Sequence, residues 1–121
     1  MSSATAIPPF PGFIIPSYTP TPDVIFDELL AELSHAELRV LLYIVRRTFG
    51  FRKNTDTISY EQFQHGIVNR EGERLDHGCG VTHATRLSAA LKALEAKGYI
   101  VARKGWDQHG RKTVTTYGLH R

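Results

Sequence analysis

The chain has 121 residues, enough for one modest hydrophobic core and too few for two. An apolar fraction of 41% and a charged fraction of 22% are ordinary for a globular domain and exclude a globally disordered chain. The formal net charge of +3 conceals a division: residues 1–34 hold no Lys or Arg and four acids (Asp23, Asp27, Glu28, Glu32), whereas from His83 onward eight bases face two acids. A basic C-terminal third fits a polyanion such as nucleic acid; a basic surface can also serve solubility alone, and charge does not separate the two. Cys79 is the only cysteine, which excludes an intramolecular disulfide and fits a reducing cytosol. No basic segment precedes the proline-interrupted apolar residues of the N-terminus, and no apolar run is long enough to span a bilayer. These features predict a cytoplasmic, nucleoid-associated protein with no membrane partner.

All six prolines fall within the first 22 residues, a stretch without a charged side chain. Proline removes backbone donors and blocks helix, so residues 1–21 read as an extended arm. Its Phe10, Phe13, Ile14, Ile15 and Tyr18 are expected to lie over the domain or a partner subunit. The domain proper, residues 22–121, opens with Pro22 in a first helical turn behind Thr21. Phe26, Leu29, Leu30 and Leu33 then follow the spacing of one buried helical stripe. Ser34 and Glu37 form a capping box, and Leu38, Leu41, Leu42, Val45 and Phe49 continue helical spacing to a stop at Gly50. After a polar turn, Lys53–Asp56, a short strand is expected at Thr57–Ile58. Ser59 and Gln62 make a second capping box for a brief helix ending near His65. Four glycines (Gly66, Gly72, Gly78, Gly80) and few apolar residues mark 66–80 as a loop or small hairpin. Thr82 is the expected cap of the next helix, whose apolar stripe is Leu87, Leu91 and Leu94 and which Gly98 ends. Tyr99–Arg103 and Val114–Leu119 are β-prone, with a turn-rich tip at Gly105–Gly110 between them. The order predicts a mainly α protein with a small β-hairpin wing, an α+β winged helix-turn-helix.

In the helix Thr82–Lys97, centring the leucines on the buried side leaves Thr85, Ala89, Lys92 and Ala96 opposite, with Thr82, Arg86 and Ala93 flanking. A helix that enters a major groove needs such a face: small residues for close approach, and a few donors. Arg86 matches the two acceptors of guanine, Thr82, Thr85 and Ser88 can donate to phosphate or base, and His83 stands at the helix start. Arg103, Lys104, Arg111 and Lys112 around the tip, with His109 at it, suit phosphate contacts, which give affinity and salt dependence but little specificity. Trp106 reads equally as a wing anchor or a cap on the core. The competing reading of the helix is a solvated surface that touches nothing.

His77, Cys79 and His83, with His65 or Asp76 as a fourth ligand, invite a metal reading, but H-x-C-x3-H matches no common zinc pattern, so an ordinary polar loop is expected and no cofactor. There is no Gly-rich phosphate loop, H-E-x-x-H or nucleophile elbow, and the carboxylates of the basic half are scattered. A binding protein, not an enzyme, is the expectation.

Asp23–Ile100 resembles the N-terminal DNA-binding domain of phage replication protein O and related replisome organisers. The likeness rests on the Asp27–Leu30 helix, Leu33-Ser34-His35-Ala36-Glu37-Leu38-Arg39-Val40-Leu41-Leu42 and Arg46-Arg47-Thr48-Phe49-Gly50-Phe51. Asp56-Thr57-Ile58-Ser59 and the Leu91–Ile100 ending extend it. The resemblance implies origin binding, commonly as a homodimer, with a separate C-terminal region recruiting replication proteins. Residues 67–80 depart from it as an insertion between the two helices of the reading motif, and Thr82 stands one residue further from Leu87 than the usual cap. No segment resembles the recruiting region, which leaves a domain of a longer protein or a stand-alone regulator. The expected function is sequence-specific binding of double-stranded DNA in replication initiation of a phage, plasmid or other mobile element. The rivals are a transcriptional regulator of the same fold and a protein-interaction winged helix without DNA affinity.

Overall fold

The computed structural model describes Phe10, Gly12, Phe13 and residues 17–120. Ile14 and Ile15 of the arm lie outside the described residues. Phe10, Phe13 and Tyr18 are exposed rather than laid on the domain, and Phe10 and Phe13 meet edge-to-face at 4.9 Å.

A π-helical turn, Ile25–Leu29, runs into a single α-turn, Leu30–Glu32 (α1). The expected stripe shifts as a result. The wider turn advances the inward face by four residues, so Ile25, Leu29 and Leu33 are buried, whereas Phe26 and Leu30 are 57% and 53% exposed. Leu33 turns extended, and Ser34 caps α2, His35–Thr48. The capping box forms as expected: Ser34 Oγ accepts from the Glu37 N–H at 3.1 Å and Glu37 Oε1 from the Ser34 N–H at 3.0 Å. Glu37 also accepts from Lys97 Nζ at 3.2 Å, which joins the start of α2 to the chain just beyond α4, Ala84–Ala96. The Ser34 backbone bond and then Lys97 hold the Glu37 carboxyl below its ordinary range.

The central helix α2 buries Val40, Leu41, Ile44 and Val45 together with Tyr43, Arg47 and Thr48, a wider face than the leucine pattern suggests; Leu42 is exposed. Gly50 does not stop it. The chain tightens into a 3₁₀ turn at Phe49–Phe51 and reverses at Arg52, which is left-handed at φ 58°, with the Lys53 N–H returning to the Thr48 carbonyl at 2.9 Å. The first strand, β1, is Thr55–Thr57, earlier than expected; Ile58 leaves the strand for the core. The second capping box starts α3, Tyr60–His65, which drives Phe63 into the core against Tyr43 and Tyr117.

After α4, strands β2, Ile100–Arg103, and β3, Thr116–Leu119, form an antiparallel hairpin. Strand β1 pairs with β3 on its other side, giving the sheet order β1-β3-β2. The fold is therefore α+β, helices over a small three-stranded antiparallel sheet, compatible with the expected winged helix. Beneath β1, buried Arg47 gathers four groups: Asp56 Oδ2 at 2.8 Å, Gln62 Oε1 at 3.2 Å, the Thr57 carbonyl at 3.3 Å and the Tyr43 hydroxyl at 3.4 Å. Tyr43 in turn donates to Asp76 at 3.0 Å, so one polar chain ties α2, β1, α3 and the 66–80 segment together.

Candidate nucleic-acid interface

The face of α4 is built as its periodicity requires. Leu87, Ala90, Leu91 and Leu94 are buried, Thr85, Arg86, Ala89, Lys92 and Ala96 are exposed, and Ser88 and Ala93 are half-buried at the margins. The start of the helix differs from expectation. His83 is the cap residue, without a side-chain cap bond, and Thr82 stands one residue outside, its carbonyl accepting from Gln64 Nε2 at 2.7 Å.

The segment 66–80 is a short hairpin bridged at Val68 and Arg74, with Asn69 accepting from the Glu71 and Glu73 N–H groups at its tip. Its base is closed. The Cys79 N–H donates to the Phe63 carbonyl at 2.8 Å, and Arg74 donates to the His65 carbonyl, so α3 and α4 remain neighbours despite the insertion. Two of the possible metal ligands, Asp76 and Cys79, are committed elsewhere. Asp76 serves Tyr43 and the Gly78 N–H, Cys79 is buried with its thiol pushed up by desolvation, and His77 and His83 are exposed. Among the described residues no three His, Cys, Asp or Glu side chains converge.

In the β2–β3 connection, Trp106 bridges Lys112, and Asp107 accepts from the His109 and Arg111 N–H groups to shape the tip. Trp106 is 62% exposed, which removes the core-cap reading. Arg111 is partly occupied, its Nε standing 3.4 Å from Asp107. Lys104 and Lys112 converge with Lys92 of α4 on a cleft of about 260 Å³ that Ser88 and Tyr60 also line, with Glu95 as its one acid. Sequence reasoning assigned Lys92 to the groove and the other two to the wing; the fold makes them neighbours. Arg103 is not part of this group. Strand alternation turns it with Val101 to the opposite side of the sheet from Ala102, which lines the cleft.

Two residues escaped the sequence reading. His35 and Arg39, on the flank of α2, stand beside His83 and Arg86 at the start of α4. The only sequence signal was their i, i+4 spacing, which fixes a shared flank but not what lies opposite. No described helix is long and apolar enough to cross a membrane. The family model for bacteriophage replication protein O matches residues 16–117 of the chain. No curated protein matches it.

Proposed function

The chain belongs to the bacteriophage replication protein O family, whose name points to a role in phage replication, and on that premise we propose that it is a winged-helix domain that binds double-stranded DNA to initiate replication of a phage or related mobile element. The mechanism is binding without turnover. Helix α4 enters the major groove with Thr85, Ala89 and Lys92 toward the bases, and the β2–β3 hairpin acts as a wing whose Lys104 and Lys112 hold phosphate. The observation that carries this reading is the junction of α4 with the wing. Three lysines meet there beside a helix face of small side chains, so backbone neutralisation and close approach to base edges occur in one place. The element order and the β1-β3-β2 sheet support the winged-helix form.

The test is fluorescence anisotropy of the full chain with a random duplex across a salt series. Each neutralised phosphate contributes about 0.9 to the slope of log K against log salt, so three to five contacts give a slope of roughly −3 to −5. Absence of binding at low salt overturns the proposal. A second reading, a protein-interaction domain, is favoured by the exposed Phe26 and Leu30 on the first helical segment, which give an apolar partner a foothold. It predicts no duplex affinity at any salt concentration.

A further inference from the structure

A second cationic cleft, of about 180 Å³, lies where the Gly80–His83 loop passes the first turn of α2. His35 and Arg39 come from α2, Gly80 and His83 from the loop, and Arg86 from α4. No lining residue is acidic. The acid nearest in sequence, Glu37, is held by the Ser34 N–H and Lys97. Arg39 and Arg86 make no hydrogen bond or ion pair with any described residue. Arg47 is engaged on Asp56, Arg111 on Asp107 and Arg46 over the Phe51 ring at 4.6 Å, whereas Arg52, Arg70 and Arg103 share the unpaired state among the described residues but line neither cationic cleft.

Gathering two guanidinium groups without a carboxylate raises the free energy of the folded state by like-charge repulsion, and an anion between them reverses the sign. The backbone is shaped to permit it. Gly80 has φ +88°, which favours glycine, and the Arg39 guanidinium lies against its bare backbone. The volume equals about six waters at ~30 Å³ each and falls below the ~300 Å³ at which small-molecule pockets begin. It suits a phosphate group with its waters.

We propose that this cleft is a phosphate-group site, in which Arg39 and Arg86 together hold one backbone phosphate of the duplex that α4 engages. This rests on the DNA-binding reading and deepens it, because it assigns Arg86 to the backbone in place of the guanine contact its sequence position suggests. Along α4, Arg86 stands between five and six residues before the centre of the residues that line the three-lysine cleft, about 8 Å at 1.5 Å per residue. The two clefts therefore present cations at separate points along the helix.

The test compares wild-type protein with Arg39→Gln, and with Arg70→Gln in the hairpin as a control, by duplex anisotropy across a salt series. Thermal melting verifies folding of this exposed-site variant. Arg39→Gln is expected to reduce the salt slope by about 0.9 and to weaken random and selected duplexes equally, whereas Arg70→Gln leaves the slope unchanged. If the wild type binds steeply with salt and Arg39→Gln keeps the same slope, the cleft is not a backbone site and the DNA reading stands. If the wild type does not bind duplex, the DNA reading falls, and an amide chemical-shift titration with inorganic phosphate decides the cleft alone. Shifts at residues 80–86 that vanish in Arg39→Gln then establish a free-phosphate site, and their absence disposes of the cleft as well.

Discussion

Arg47 sits at the point where the core of α2 gives way to strand β1, and its five N–H donors are spread over Asp56, Gln62, Tyr43 and the Thr57 carbonyl. Its side chain is 8% exposed and that of Asp56 is 17% exposed, so neither charge is well hydrated. Removing one partner of such a pair strands the other in a poorly solvated site, at a cost of about 3–5 kcal/mol for full burial and less where water still reaches the carboxylate. Arg47→Met is expected to lower unfolding free energy by about 3 kcal/mol in a denaturant titration. Adding Asp56→Asn should recover part of that loss, because the stranded charge is then absent. A loss under about 1 kcal/mol would show that the network orients the chain without stabilising it. The sequence holds Arg46 and Arg47 side by side and does not tell which faces inward. The choice is made by β1 and α3, which arrive from ten to fifteen residues away.

At the scale of elements, the wing separates two basic residues that look equivalent in sequence. Asp107 shapes the tip and stands 3.4 Å from Arg111, whereas Lys112 points into the cleft with Lys92 and Lys104. Lys112→Gln is therefore expected to flatten the salt slope of duplex binding by about one unit, and Arg111→Gln by distinctly less. Equal effects would mean that Arg111 leaves Asp107 on binding. The features legible in the sequence were those fixed by local chemistry. Both capping boxes, the α4 leucine stripe and the glycine-marked hairpin depend on residues within a few positions of one another. Of the features missed, the Gln64 bond to the Thr82 carbonyl and the meeting of Arg39 with Arg86 join segments that only the folded chain brings together. The π turn that buries Ile25 and exposes Phe26 is local, but the apolar spacing of an ordinary helix does not signal it.

For the molecule as a whole, the aromatic heart of the fold makes stability sensitive to alkali. Burial pushes the Tyr43 and Tyr117 phenols up to about 12 from an ordinary value of 10.0. Because the folded state holds these protons more tightly than the unfolded state, their contribution is fully present below pH 10 and is lost as pH rises toward 12. Each contributes on the order of 2 kcal/mol at most, so equilibrium unfolding free energy should fall through this window. Phe in place of Tyr117 should shallow the fall; a profile that stays flat to pH 12 would contradict the buried, protonated state of both phenols.

The hairpin between α3 and α4 carries a consequence for how such a domain diversifies. Since the Phe63 carbonyl and the Cys79 N–H close its base and Arg74 and Asp76 are bonded to α3 and α2, the tip around residues 69–73 can lengthen, shorten or change character without resetting the two helices it separates. Its tip is a place where the chain can gain a new contact while the packing beneath it stays as it is.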